Sequence, residues 1–282
     1  MKRLRVILLT HGGAEEVIQR LVDCDNVELA AVFVEKSITR QYAMREKIRR
    51  SIRYDGYVAT ASKLVKKVVS GKEQNVHQVE ADELRGRLET VANDNRIPFY
   101  VVDNYHDPET IDLIREVNAD LAVIYGTNII KESVFKLPRL GSINLHQGLA
   151  PYYRGGPPIF WELYNGESEV GLTVHYVAAK VDSGDIILQQ TVPLKYDYGY
   201  GLNYESFIAD FCNQLRGRCA EMVADAVKLI ASGTAKVKPQ DPNLGKRYRL
   251  PVKAEKDELR RRLRQRQQLS AETWKHSQPE TG

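Results

Sequence analysis

Four short apolar runs constrain this chain more than anything else in it. Arg5–Thr10 (RVILLT), Val27–Val34 (VELAAVFV), Ile97–Val102 (IPFYVV) and Asp120–Tyr125 (DLAVIY) are apolar along nearly their whole length rather than alternating. A strand wetted on one face alternates. One that is apolar throughout is covered on both faces, as in a parallel sheet between helix layers. Between the runs the spacing turns helical, with Val17, Ile18 and Leu21 after a His11-Gly12-Gly13 turn. Asp107 to Val117 is a further helix, with Asp107 as N-cap and Pro108 in the first helical position. Strand, glycine turn, helix, strand opens a doubly wound α/β sheet. The expected fold is therefore α/β, a doubly wound, mostly parallel, Rossmann-like sheet. The Gly12-Gly13 turn does not complete Gly-x-Gly-x-x-Gly, so it reads as a tight turn into a helix, with little weight as a phosphate cradle.

Lys36 to about Asn95 interrupts this pattern. Leu64, Val65 and Val68, then Leu84, Leu88 and Val91, recur at helical spacing and predict a helical insertion. Its first part, Lys36 to Arg53, is rich in Lys and Arg; it is either a solvated helix face or a patch for phosphate. After Asp120–Tyr125 a short helix is expected over Ile129–Phe135, then a strand ending at His146, then a helix from Pro157-Pro158 to Tyr164. Val170–Val177 and Asp185–Pro193 follow as antiparallel strands, and Tyr204–Ala231 as one long amphipathic helix. Beyond Gly233 the chain is basic and polar. Leu259 and Leu263 sit in a helical pattern with almost no apolar face, and the end, SAETWKHSQPETG, reads as disordered.

Composition narrows the class. The chain has 282 residues, 43% hydrophobic and 28% charged, as a soluble globular protein does. No apolar run approaches the roughly 20 residues that span a bilayer. The apolar stretch near the N-terminus is too short for a signal sequence, so a cytoplasmic protein with no membrane partner is expected. Cys24, Cys212 and Cys219 make no disulfide framework, and no histidine spacing suggests a metal. His175, in a predicted strand, reads as structural. A net charge of +4 is compatible with an anionic substrate without requiring one.

The chemistry concentrates in Gly141–Gly156, GSINLHQGLAPYYRGG. Asn144 and His146 are two apart on a strand, so both side chains project from one face. An amide donor beside an imidazole can hold a carbonyl oxygen and take a proton. A later stretch, GLTVHYVAAKVDSGDIIL, supplies a carboxylate, Asp182.

Asn-x-His, Leu-x-Pro, Tyr-Arg-Gly and Val-Asp-x-Gly-x-Ile together resemble the formyl-tetrahydrofolate-dependent formyltransferase family, over about Asp120–Pro193. The resemblance implies catalytic roles for Asn144, His146 and Asp182. It implies formyl-tetrahydrofolate as donor, with no metal. The folate would lie against backbone of Tyr125, Gly126, Thr127, Asn128 and Ile129, and of Ala178, Ala179 and Val181. Gly12, Gly13, Tyr153, Arg154 and Gly155 are candidate substrate contacts; Arg154 would clamp an anion or brace its loop. Gly148 and Ala150 depart from the commonest family residues, Ser and Leu, and bear on the pocket floor. Residues 1–200 would form the catalytic domain, with the insertion at about 36–95, and residues 201–282 a C-terminal helix and basic, partly disordered tail.

For the acceptor, the expectation is a small-molecule amine such as a nucleotide-linked amino sugar. A methionyl-tRNA enzyme of this family normally carries a β-rich C-terminal domain, and residues after Ala231 read helical. A glycinamide ribonucleotide enzyme usually has an Asn/Ser-rich loop where this chain has THGGAEE. Both remain alternatives, as do a formyl-tetrahydrofolate hydrolase and a folate-binding module without turnover. Nucleic acid is not the expected partner, and a homodimer through the C-terminal strands or the long helix is compatible with the pattern.

Overall fold

The computed structural model describes residues 2–36, 51–56, 62, 73–241 and 243–276. The apolar runs become strands β1 (Leu4–Thr10), β2 (Val27–Glu35), β3 (Phe99–Val102) and β4 (Leu121–Tyr125), followed by β5 (Ser142–His146). These five run parallel in the order β3-β2-β1-β4-β5. Helix α1 (Glu15–Val22) joins β1 to β2, α2 (Glu73–Asp94) precedes β3, α3 (Pro108–Glu116) precedes β4, and the short α4 (Glu132–Phe135) precedes β5. The chain leaves β1 toward β2 and β3, then returns to its other side at β4. That reversal opens a crevice at the carboxyl ends of β1 and β4, where doubly wound sheets bind ligands.

Both faces are covered, as continuous apolar strands require. Val6 and Leu8 point into one hydrophobic cluster, with Val17, Ile18 and Leu21 of α1, while Ile7 and Leu9 point into the other, with Ile114 of α3 and Val134 and Phe135 of α4. After β5 come a two-residue strand, β6 (Tyr153–Arg154), helix α5 (Phe160–Asn165) and strands β7 (Glu169–Tyr176) and β8 (Ile186–Pro193). Strand β7 lies antiparallel to β5, and β8 antiparallel to β7, so the sheet ends in an antiparallel edge.

Three expectations change. The helix expected over 204–231 is two, α6 (Tyr204–Gln214) and α7 (Arg216–Ala231), meeting at Leu215. The break falls beside Gly217, which faces the Glu16 carboxylate so closely that a Cβ would stand 3.2 Å from Glu16 Oε2. It lets α7 lie along α1. Secondly, the basic C-terminal stretch is docked. Strand β9 (Lys246–Arg247) pairs with β6, and helix α8 (Lys253–His276) buries Leu259 and Leu263 completely in the first cluster. Arg262 and Arg266 donate to the carbonyls of Tyr164 (2.9 Å) and Leu163 (3.1 Å), capping the C-terminal end of α5. Two leucines four apart are enough to anchor a helix whose other faces are charged. Thirdly, residues 270–276, expected to be disordered, continue α8; residues 277–282 lie outside the described residues. So do Leu64, Val65 and Val68 and most of the basic stretch after Lys36. Within the insertion, residues 51–55 are helical and Leu88 on α2 is fully buried.

Because both leucines are fully buried, Leu259→Ala and Leu263→Ala should each lower unfolding stability by about 2–5 kcal/mol in urea titration. A helix free in solvent would give changes within about 0.5 kcal/mol.

Candidate active site

A cavity of about 410 Å³ opens at the carboxyl ends of β4 and β5. Its walls are residues 124–130 at and after the end of β4, Asn144 to Gln147 at the end of β5, Gly155, Gly156 and Pro158, and residues between His175 and Asp182. Four polar side chains meet at one end. Asn144 and His175 are register partners across the antiparallel β5–β7 pair, and Asn144 Nδ2 lies 3.4 Å from His175 Nε2. Asp182 lies between the two histidines: Oδ2 is 3.4 Å from His146 Nδ1 and Oδ1 is 3.5 Å from His175 Nε2. The Gly155 amide donates to Oδ2 at 2.8 Å.

The imidazole protons follow from their partners. His146 Nε2 is 2.7 Å from the Tyr153 carbonyl, and His175 Nδ1 is 2.7 Å from the Tyr176 carbonyl. A carbonyl only accepts, so each of those nitrogens carries the hydrogen. In the neutral rings the unprotonated nitrogens, His146 Nδ1 and His175 Nε2, both face Asp182. The His175 lone pair accepts from Asn144, which fixes the Asn144 amide and leaves its second N–H for a ligand.

Burial lowers the His146 pKa from its ordinary value; the Asp182 carboxylate and the bond to Tyr153 oppose this without overcoming it. His146 is therefore neutral at pH 7 and able to take a proton. Burial alone would raise Asp182, but the neighbouring His175 and His146 imidazoles and the Gly155 amide outweigh it and hold the carboxyl at about 2.

Local sequence explains the fit. Gly148 has no room for a side chain: a Cβ would stand 2.4 Å from His146 Nε2 and 2.7 Å from the Tyr153 oxygen. Gly171 lets residue 149 lie flush on β7, where a Cβ would meet Leu149 Cα at 2.3 Å. Thr173, fully buried on β7, accepts from the Ala150 amide and donates to the Gly148 carbonyl at 2.8 Å. The loop carrying Tyr153 and Gly155 is thus clamped to the sheet edge. Asp182 itself takes φ = 50°, a conformation that Asp tolerates better than most residues.

Most residues expected at the site line this cavity: Asn144, His146 and Asp182, Tyr125, Gly126, Thr127, Asn128 and Ile129, Ala178, Ala179 and Val181, and Gly155. Others do not. Tyr153 contributes only its carbonyl, and its ring turns away to stack on Tyr248 at 5.2 Å. The Arg154 side chain is not in the wall, and its Nε is buried without a hydrogen-bond partner. Gly13 lines a neighbouring cavity of about 260 Å³ with Glu15, Glu16, Arg87 and Arg216, which shares Tyr125 with the first. Gly12 lines neither cavity, and its carbonyl accepts from the Thr10 hydroxyl at 3.2 Å. His175, expected to be structural, joins the site; its sequence signal is the alternation of VGLTVHYV, but the partner strand is supplied only by the fold. Among the described residues no His, Cys, Asp and Glu group could hold a metal.

Gly148→Ala should displace the imidazole from the Tyr153 carbonyl and cost about 1–3 kcal/mol of stability, with the His146 Nε2 proton losing its slow exchange in NMR spectra. Asp182 also makes stability pH-dependent. Its folded pKa is below the ordinary 3.8, so its contribution is full above about pH 4 and lost as pH falls through about 2. About 2 kcal/mol should disappear over that window in the wild type, and the pH slope there should flatten in Asp182→Asn.

The sequence profile of the formyl transferase family matches residues 58–210, more than half of the chain. A methionyl-tRNA formyltransferase of Azobacteroides pseudotrichonymphae is 32% identical over 177 residues, covering 62% of this chain and 50% of that protein. One from Bacteroides fragilis is 33% identical over 150 residues, covering 53% and 44%. The chain spans about half the length of the curated relatives it matches. Among solved structures, glycinamide ribonucleotide transformylase 1 from Symbiobacterium toebii has a TM-score of 0.54 at 18% identity, covering 85% of this chain and 95% of its own. A sugar N-formyltransferase from Shewanella sp. has a TM-score of 0.53 at 15% identity, covering 87% and 76%. At those identities the structural likeness speaks for the α/β fold. With the profile spanning more than half of its length, the chain belongs to the formyl transferase family.

Proposed function

We propose that the protein transfers a formyl group from formyl-tetrahydrofolate to a primary amine of a small-molecule acceptor, with Asn144, His146 and Asp182 as its catalytic residues. The observation that carries this reading is the convergence of an amide, two imidazoles and a carboxylate at one end of a cavity of small-ligand size. The cavity suits the donor. Its volume lies in the small-ligand range of about 300–1,000 Å³. Ile129 in its wall is 68% exposed, an apolar surface that a flat ring would cover. Residues 125–129 and 177–181 would hold the pterin, mostly through main-chain groups.

Once bound, the donor supplies a formyl group carried on nitrogen. The free Asn144 N–H donates to the formyl oxygen as that oxygen gains negative charge. His146 Nδ1, unprotonated at rest, takes the proton of the attacking amine, and the resulting imidazolium is stabilised by Asp182. His146 then holds a proton that the departing nitrogen needs. His175 keeps Asn144 oriented and adds a second imidazole against the carboxylate.

The neighbouring cavity fits the acceptor. It adjoins the first at Tyr125 and is walled by the Gly13 turn, Arg87, Arg216 and two carboxylates. Glu15 is 3.8 Å from Arg87, so one acid there is already balanced. Acids suit an incoming ammonium, and Arg216 suits an anionic group on the same molecule. An amine bearing phosphate or carboxylate meets both, as a nucleotide-linked amino sugar does. Methionyl-tRNA is a second reading, favoured by the names of the curated relatives. A cytoplasmic site of action fits either; among the described residues no helix is long and apolar enough to cross a membrane.

The test supplies formyl-tetrahydrofolate and follows released tetrahydrofolate, with mass spectrometry of products. The amines are nucleotide amino sugars, glycinamide ribonucleotide and methionyl-tRNA, beside a no-amine control. We expect formylation of a nucleotide amino sugar, reduced about 10²-fold or more in kcat by His146→Ala. Formylation of methionyl-tRNA alone would overturn the small-molecule reading, and equal release without amine would make the protein a hydrolase. The acid limb of kcat/KM should lie below the ordinary histidine value, because His146 must be neutral and burial lowers its pKa.

A further inference from the structure

We propose that Gln240, in the segment after α7, is a positioning residue for Asp182, so that the active site extends beyond the part of the chain that matches the family. The family profile ends at residue 210. Thirty residues later the chain returns to the site. Lys238 and Ile186 exchange backbone hydrogen bonds of 2.8 Å, which lays residue 238 against the start of β8. Two residues on, Gln240 Nε2 donates to the Asp182 carbonyl at 3.0 Å and to the Gly184 carbonyl at 2.7 Å.

Those two bonds hold an unusual turn. Asp182 is in the left-handed region at φ = 50° and is not glycine, a conformation that persists only when its surroundings impose it. On the other side of the turn Gly184 is pressed against β7, where a Cβ would stand 1.8 Å from the Tyr176 carbonyl. The turn is therefore gripped between Tyr176 and the Gln240 amide, its carbonyls bound outward and the Asp182 carboxylate facing His146, His175 and the Gly155 amide. The Gln240 orientation is fixed, since a flipped amide would set its oxygen against two carbonyls. Its Oε1 is left buried without a hydrogen-bond partner. A buried acceptor without a donor costs free energy, and the amide keeps that orientation because both of its N–H groups are engaged.

The same segment grips the other half of the site. Beyond Gln240, β9 pairs with β6, and the Tyr248 amide donates to the Arg154 carbonyl at 2.7 Å. This pins the loop whose Tyr153 carbonyl holds His146 and whose Gly155 amide holds Asp182. Loss of the Gln240 donors frees the turn alone, so the carboxylate moves away from both imidazoles while the loop stays.

This inference rests on the proposed roles of His146 and Asp182, and the experiment separates the two. The 282-residue chain is labelled with ¹⁵N-histidine and titrated without ligand, as wild type, Gln240→Ala, Gln240→Met and Asp182→Asn. The Asp182 charge favours the His146 cation; of the groups facing that ring only His175 and Asp182 titrate, and His175 opposes it. Removing or displacing the carboxylate must lower the pH at which His146 titrates. We expect that downward shift in both Gln240 variants, in the direction of Asp182→Asn, with melting temperature within a few degrees of wild type. With formyl-tetrahydrofolate and the amine formylated in the panel, kcat should fall about 10–100-fold, with KM for the donor changed less than threefold. A His146 titration unmoved in both Gln240 variants but moved in Asp182→Asn would overturn the positioning role and leave the catalytic reading standing. A titration unmoved even in Asp182→Asn would remove the His146–Asp182 pairing, and both readings with it. Gln240→Met, which keeps the side-chain length, adds no charge and loses both donors, decides the matter if Gln240→Ala folds poorly.

Discussion

The candidate site depends on one cross-strand pair. Asn144 on β5 and His175 on β7 face each other in antiparallel register, and their side chains meet at 3.4 Å. Five parallel strands precede this point and two antiparallel ones follow. In a parallel sheet the carboxyl ends of the strands carry the ligand crevice. Strand β7 runs back along β5, from Thr173 opposite His146 to His175 opposite Asn144, and the turn that follows it brings Asp182 beside both histidines. Asp182 can then reach two imidazoles at once, and its low pKa follows from that company rather than from exposure.

The surrounding loop is held by contacts that exclude side chains as much as by contacts that attract them. Gly148, Gly171 and Gly184 each stand where a Cβ would overlap a neighbour: the His146 ring, Leu149 Cα and the Tyr176 carbonyl. Thr173 supplies both a donor and an acceptor to the loop backbone from a fully buried position. Close approach and full hydrogen bonding leave the imidazoles little freedom, so their tautomers are set before any substrate binds. That is the electrostatic preorganisation that the proposed acyl transfer requires.

The C-terminal segment changes what counts as part of the site. A stretch that looks like a polar extension supplies a strand for β6, a ring to stack on Tyr153, and Gln240 beneath the Asp182 turn. Helix α8 anchors it through Leu259 and Leu263. Of its Arg side chains, Arg260 pairs with Glu205 and Asp257, Arg261 and Arg262 pair with Glu258, and Arg262 and Arg266 reach the carbonyls ending α5.

By itself the sequence determined the sheet and the side-by-side placing of Asn144 and His146. Continuous apolar runs can only be buried on both faces, and period-two spacing puts Asn144 and His146 on one side of a strand whatever surrounds it. Tyr125 and Gly126, singled out by the resemblance, do line the cavity at the end of a buried strand. Only the tertiary structure decided the place of His175, the inward turn of Gly155, the exclusion of the Tyr153 ring and Arg154 guanidinium from the cavity, the break at Leu215 and the return of Gln240. Each of these depends on a register or contact between residues far apart in the chain. His175 meets Asn144 across 31 positions and Gln240 meets Asp182 across 58. Local propensity has no term for such pairs. Leu259 and Leu263 show the same limit: two apolar residues in a charged helix do not make an amphipathic pattern, yet a ready-made hydrophobic surface beneath them suffices to bury both.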